Sequence, residues 1–204
     1  GKTLDPLELI PILSFFLQGG RCRECRARLS WQYPLVEVWT GLVFLTVPTL
    51  LIPVFCLYIA ITIYDLRHKI IPDGMVYASL VLALMVRTYL GGEVWDWLSG
   101  PILYSFFGAI WLLSRGRAMG FGDAKLTLSL GILLGVQAFS GVILSFWIGA
   151  LVGLAVIVYQ RINPLLSGAK KLTIKSEIPF APFLVLGAWL SIVFQLDLIH
   201  APLF

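Results

Sequence analysis

Apolar residues run in blocks along this chain, roughly 35 to 64, 74 to 90, 98 to 113, 126 to 136, 140 to 160 and 180 to 196, with charged residues gathered in the gaps. No block alternates apolar and polar residues as a membrane β-strand does, and Gly, Pro and charged clusters separate the blocks, so the pattern predicts helices. Two blocks have awkward lengths. The 126 to 136 run is short for a full span, which takes about 20 residues. The stretch "VEVWTGLVFLTVPTLLIPVFCLYIAITIYD", 36 to 65, is too long for one ordinary span and too short for two with a loop, and it contains Pro48 and Pro53. Either it forms one kinked helix or residues are absent from the sequence near position 46.

Composition agrees with the pattern. Hydrophobic residues make up 59% of the 204 and charged residues 13%, and the mean hydropathy is +0.91, well outside globular proportions. The fold class expected is all-α, a polytopic integral membrane helical bundle with a short cytoplasmic Cys-containing N-terminal segment, divided as 1 to 33 and 34 to 204.

Charge placement orients the bundle. Threading the blocks from 74 onward alternately through a bilayer puts Arg67 to Lys69, Arg115 to Lys125 and Arg161 to Lys175 on one side, to which Arg21 to Arg28 is also assigned, leaving Arg87 towards the other with Glu93, Asp96 and Asp197. The basic side is expected to be cytoplasmic. The net charge of +4 is thereby assigned to topology, and no motif for a nucleic-acid partner appears. The chain has no Met at residue 1, no signal peptide and no leading apolar span, so it is expected to start inside a longer protein.

Against this background "AMGFGDAKLTL", 118 to 128, is unusual. An Asp at the centre of a membrane helix costs about 2.5–3.5 kcal/mol on insertion scales, so Asp123 calls for an interface or a partner. "YDLRHKIIPDG", 64 to 74, supplies a second acid, Asp65, at the same expected membrane face although 58 positions away. Two carboxyls brought together share one proton. Such a pair performs acid and base chemistry on a peptide bond without metal or nucleophile. Gly120 and Gly122 are expected to allow close backbone approach and unusual dihedrals beside the acid.

"GFGD", 120 to 123, fits the GxGD pattern of intramembrane aspartyl proteases, and the run from Asp65 to Asp73 resembles the other catalytic segment of the type IV prepilin peptidases. "GRCRECRARLSWQYPLVE", 20 to 37, is similar to the Cys-containing cytoplasmic region of the bifunctional bacterial enzymes, and "EIPFAPFLVLGA", 177 to 188, matches near the C-terminus. The resemblance covers most of the chain, in order. It implies a bacterial inner-membrane enzyme with its active site facing the cytoplasm, which removes the basic leader from type IV prepilins or pseudopilins after a Gly, with Asp65 and Asp123 as the catalytic pair and no cofactor for cleavage. In bifunctional members it further implies methylation of the new N-terminus from S-adenosylmethionine, and a zinc site built from two C-x-x-C pairs. Here Cys22 and Cys25 form one pair, half of a tetrahedral set. The other is expected before residue 1, because "GKTLDPLELIPILSF" resembles the stretch that follows it. Zinc or free thiols are expected over a disulfide on cytoplasmic placement.

Plainer roles compete at several positions. Asp73, after Pro72, is expected to N-cap the next helix. Lys125 either biases the pair's protonation, contacts substrate or snorkels to headgroups. Arg67, His68 and Lys69 are topology charges first, and Cys56 is packing. Pro179 and Pro182 either shape an access groove or sit in a helix's first turn. Two other function classes also accommodate intramembrane acids: a proton-coupled or ion-conducting transporter, and a non-enzymatic pilus-assembly scaffold.

Overall fold

The computed structural model describes residues 10, 12–23, 25–117, 119–162 and 179–196. All its named elements are helical: α1 Leu13–Leu17, α2 Gln32–Thr46, a 3-10 turn Thr49–Leu51, α3 Ile52–His68, α4 Asp73–Leu90, α5 Val94–Ser114, α6 Phe121–Leu134, α7 Gln137–Ile162 and α8 Ala181–Val193. Four helices among the described residues are long and apolar enough to cross a membrane, at Thr49–His68, Asp73–Leu90, Val94–Ser114 and Gln137–Ile162. The chain is a polytopic all-α membrane bundle. The basic segment beyond Ile162 that sequence assigns to the Arg161 side, together with Asp197, lies outside the described residues.

The overlong stretch from 36 to 65 is two helices. Helix α2 ends at Thr46, Val47 is extended at φ −96° and ψ 137°, and the 3-10 turn after Pro48 leads into α3. A proline's ring clashes with the helical conformation of the residue before it, which drives Val47 into the β region. The chain divides into two compact units just after this break, 1–52 and 53–204.

In the first unit, the Ile12 amide donates to Glu37 Oε2 at 2.7 Å, and the rings of Phe15 and Trp31 meet edge to face at 5.0 Å. Cys22 stands at the start of a tight reversal and Cys25 lies within it. Arg21 bridges Arg28, the Cys22 amide donates to the Ala27 carbonyl at 2.9 Å, the Arg26 amide donates to the Cys22 carbonyl at 3.0 Å, and Arg26 turns the chain at φ +54°.

The second unit is assembled through small residues. At the α5–α6 crossing Gly100 faces Gly131, and a Cβ on Gly100 would fall 2.6 Å from Ile132 Cγ1 and 2.8 Å from the Leu128 carbonyl oxygen. The Ser99 hydroxyl donates to the Gly131 carbonyl at 2.8 Å. Helix α7 meets α8 in the same manner, with Gly141 against Ala188 and Gly187 against Ser145. Lipid offers helices no hydrophobic drive to associate, so close approach of small residues and interhelical hydrogen bonds carry the contact.

The far ends of α4, α5 and α6 share one polar knot. Arg87, 8% exposed, donates from Nε to the Ile132 carbonyl at 2.9 Å and from a terminal nitrogen to the Leu133 carbonyl at 3.0 Å. It also pairs with Asp96 at 3.7 Å. Asp96 accepts from the Val136 amide at 3.2 Å and forms a reciprocal capping box with Glu93 at the start of α5. The one basic residue set apart by topology is thus a cap on the C-terminus of α6, where a cation meets unsatisfied carbonyls.

Glycine packing generates a paired test. Gly131→Val forces a branched side chain into the α5 backbone and is expected to destabilise by about 1–3 kcal/mol or more. Gly108→Ala, in the interior of α5 where an added Cβ meets nothing within 4 Å, leaves stability unchanged or raises it by up to about 1 kcal/mol. Thermal unfolding of the two purified variants in one detergent checks the contrast.

Candidate active site

Asp65 sits in the last turn of α3, on the buried stripe that also carries Val54, Phe55, Tyr58, Ile61 and Thr62. Helix α3 closes as the Lys69 amide donates to the Asp65 carbonyl at 2.7 Å, and Lys69 turns the chain out at φ +53°. Asp123 lies in the first turn of α6. Both acids are buried, at 5% and 7% exposure. The structure brings these two sequence-selected acids within electrostatic range of each other. Their immediate partners are backbone groups. The Ala181 amide, in the first turn of α8, faces Asp65, and the Gly120 amide faces Asp123. Among the described residues, Asp65 Oδ2 and Asp123 Oδ1 have no hydrogen-bond partner. Two buried carboxyls that keep an acceptor oxygen open are equipped to exchange protons with a third molecule.

The two glycines of GFGD differ. Gly120 has an ordinary extended backbone, φ −72° and ψ 145°, and a Cβ there would lie 3.7 Å from the Asp123 carboxyl, so neither unusual dihedrals nor crowding require glycine at this position. Gly122 is needed for close approach, since its Cβ would fall 2.8 Å from Ile71 Cβ. The turn carrying Asp123 is pressed against the loop between α3 and α4.

Asp73 does not N-cap α4. Pro72 occupies the cap position with no side-chain cap bond, and Asp73 is the first helical residue. Its Oδ1 instead accepts from Lys125 Nζ at 2.7 Å, because α6 passes close enough for the two long-separated charges to pair. Lys125 also lies 5.3 Å from the Phe121 ring centroid and 5.7 Å from that of Tyr77. Pro182 stands in the first turn of α8, where its missing N–H costs nothing. Pro179 precedes that helix.

Sequence reasoning missed the support beneath the acids. The Tyr58 hydroxyl meets Ser129 Oγ at 2.8 Å, and Ser129 meets Ser79 Oγ at 3.1 Å, joining α3, α6 and α4 by buried hydrogen bonds. The signal available was Tyr58 standing two turns before Asp65 on one helix face. The Ala181 amide had no signal at all, because a backbone group's role is invisible in residue identity.

Cys22 is half-buried and Cys25 is exposed. Among the described residues no three His, Cys, Asp or Glu side chains converge as a metal-ligand set. Two thiols do not complete a tetrahedral zinc site, and no chemical step is assigned to a metal.

Comparison with known proteins places this arrangement in a family. Residues 1–51 match the model of the bacterial peptidase A24 N-terminal domain, and residues 50–158 match that of the type IV leader peptidase family. The prepilin leader peptidase/N-methyltransferase of Aeromonas salmonicida strain A449 is 32% identical over 206 residues, covering 93% of this chain and 67% of that protein. Proteins of the same description from Pseudomonas aeruginosa and Bacillus subtilis are 29% and 30% identical, covering 95% of this chain in both cases and 69% and 78% of their own lengths. No solved structure matches. With both family models matching in order and relatives aligned over nearly its whole length, the chain belongs to the type IV leader peptidase family.

Proposed function

We propose that this protein is an aspartyl endopeptidase that removes the basic leader peptide from type IV prepilins or pseudopilins at the cytoplasmic face of the bacterial inner membrane. The observation that carries the proposal is the pair of buried carboxyls on α3 and α6, each with an oxygen open to a third molecule. Family membership and the names of the relatives support the substrate class.

The chemistry follows from a pair sharing one proton. The ionised carboxylate takes a proton from water as the water oxygen bonds to the scissile carbonyl carbon. The protonated partner gives its proton to the carbonyl oxygen as the π electrons move there. Collapse of the tetrahedral species breaks the C–N bond, and the amine leaves with a proton returned from the pair. The amides of Ala181 and Gly120 orient the two acids. Gly122 seats the turn that carries Asp123, and the Asp73–Lys125 ion pair ties that turn to α4. Pro182 directly follows Ala181, whose amide faces Asp65, in the first turn of α8. Orientation rests on the positive-inside rule: Arg67, Lys69, Arg115, Arg117 and Arg161 cluster at the helix ends on the acids' side, while Arg87 is buried at the other.

Asp65→Asn and Asp123→Asn are each expected to abolish cleavage while the protein still inserts and unfolds cooperatively. Each removes a titratable group from a unit that works jointly. Substantial cleavage of a purified prepilin by either variant sinks the assignment. The rate of the unaltered enzyme should follow a bell-shaped pH profile whose two limbs belong to the pair and not to either residue.

Asp73→Ser tests a supporting role. The side chain of Asp73 is 59% exposed in its pair with Lys125, and pairs of this kind contribute about 0–1 kcal/mol. Most cleavage is therefore expected to survive. A loss as deep as that of Asp65→Asn would place Asp73 among the groups that touch substrate.

A polypeptide of these 204 residues carries a single C-x-x-C pair. It is expected to cleave without methylating, because S-adenosylmethionine and the amine must be held in line and small displacements defeat such a transfer. Mass spectrometry of the processed pilin after incubation with labelled S-adenosylmethionine decides this, and efficient N-methylation would show the four-thiolate zinc frame to be dispensable.

A further inference from the structure

A third buried oxygen is left over beside the two acids. Thr62 is 2% exposed, and its Oγ1 has no hydrogen-bond partner among the described residues. A helical Ser or Thr ordinarily bonds back to a carbonyl one turn earlier. Ser79, Ser99, Thr127, Ser145 and Ser191 do this at 2.7–2.8 Å. Thr62 does not, and so it bears the desolvation of a buried hydroxyl without the usual compensation.

Its place in α3 says what the hydroxyl faces. Tyr58, Thr62 and Asp65 stand at i, i+4 and i+7 on one buried stripe. Both flanking members of the stripe address α6: Tyr58 bonds Ser129, and Asp65 acts on Asp123. The helices are antiparallel, and the six residues from Asp123 to Ser129 rise about 9 Å while the seven from Tyr58 to Asp65 rise about 10.5 Å. Thr62 lies between those two points of contact and therefore faces α6 as well, about one turn deeper in the membrane than Asp65. Helical register thus puts Thr62 Oγ1 on the same stripe as Asp65, whose carboxyl acts on Asp123, and Thr62 Oγ1, Asp65 Oδ2 and Asp123 Oδ1 are each without a partner among the described residues. Buried waters typically make about three hydrogen bonds to polar groups left otherwise unsatisfied.

We infer that Thr62 is the third binding group for the hydrolytic water, its hydroxyl holding that water from the membrane side while the carboxyl pair holds it from the cytoplasmic side. This rests on the aspartyl mechanism proposed above. The water gives one proton to the ionised carboxylate, and its other O–H is directed to Thr62 Oγ1, which takes no proton. The attacking lone pair is thereby aimed outward, at a peptide entering from the cytoplasmic face. An otherwise costly orphan hydroxyl would then be retained for orientation.

The test compares Thr62→Val, Thr62→Ala, Thr62→Ser and Asp65→Asn in the full chain, using a synthetic peptide that spans the leader junction. Val keeps the shape and removes the hydroxyl, so a purely packing role predicts equal or higher thermal stability and unaltered cleavage. The inference predicts instead that Val and Ala lower kcat roughly 10- to 100-fold with KM changed by less than about twofold, that Val unfolds no earlier than the parent, and that Ser recovers most of the rate. Wild-type kcat in Thr62→Val beside an inactive Asp65→Asn overturns the inference and leaves the aspartyl mechanism standing. Equal impairment of Ser and Val also overturns it, since shape and not the hydroxyl would then matter. If Val fails to fold, the Ala and Ser pair makes the same distinction. Activity in Asp65→Asn removes the mechanism and the inference together.

Discussion

A helix that ends inside a bilayer has no water at its terminus, so its last amides or carbonyls must find partners inside the protein. Helix α6 feels this constraint most. Its 14 residues rise about 21 Å against a hydrocarbon core of about 30 Å, so its two ends cannot both reach water. Helix α4 serves both. Arg87 caps the last carbonyls of α6, and Asp73, fourteen residues earlier, meets Lys125 in its first turns. The two helices run parallel between these contacts, with the long Lys125 and Arg87 side chains spanning the difference between about 21 Å of α4 and about 12 Å of α6. The depth at which Asp123 sits is therefore set by hydrogen bonds and charges at both ends of α6.

Small residues fix the remaining degrees of freedom. Gly100, Ser99 and Gly131 bring α5 against α6 until backbone meets side chain, and Gly141, Gly187 and Ala188 do so for α7 and α8. Contact this close tolerates little sliding, because every relative shift brings atoms into overlap. Gln137 adds a bond of 2.6 Å to the Ser191 carbonyl at the far end of the α7–α8 pair. The first turn of α8 is thereby presented at the face where α3 ends and α6 begins, and the Ala181 amide reaches Asp65 there. A carboxyl beside the first turn of a helix sits in that helix's favourable field.

The polar interior of the bundle forms a graded column. Arg87 and Asp96 close the far end, Ser79, Ser129 and Tyr58 occupy the middle in mutually satisfied bonds, and Thr62, Asp65 and Asp123 stand near the basic face with oxygens unspent. Satisfied networks hold a structure in one arrangement, whereas open ones invite a ligand. The change from one to the other along α3 and α6 supports the proposed site independently of the residue types that occupy it.

Much of this was legible in the sequence. Apolar block lengths predicted the helices and the membrane, because those depend on local hydrophobicity and on backbone hydrogen bonds within one segment. The family resemblance, carried by GFGD and the run from Asp65 to Asp73, pointed to the two acids, and charge placement put them at one face. The Pro48 break was half legible: the length of the block required an interruption, but only the structure distinguished two helices from one kinked one. What tertiary structure alone decided are the pairings between distant positions. Asp73 looked like a cap because a carboxylate after Pro72 satisfies every local rule, yet α6 brings Lys125 to it and an ion pair forms. Gly120, expected to allow close approach and unusual dihedrals, has an ordinary backbone, while Gly122 is required by Ile71, a neighbour only in space. The partners of Arg87, the orphan hydroxyl of Thr62 and the Ala181 amide at Asp65 are all properties of which atoms are left facing one another after helices pack. Residue identity records what a side chain is able to bond, and only the packed bundle decides what lies within reach.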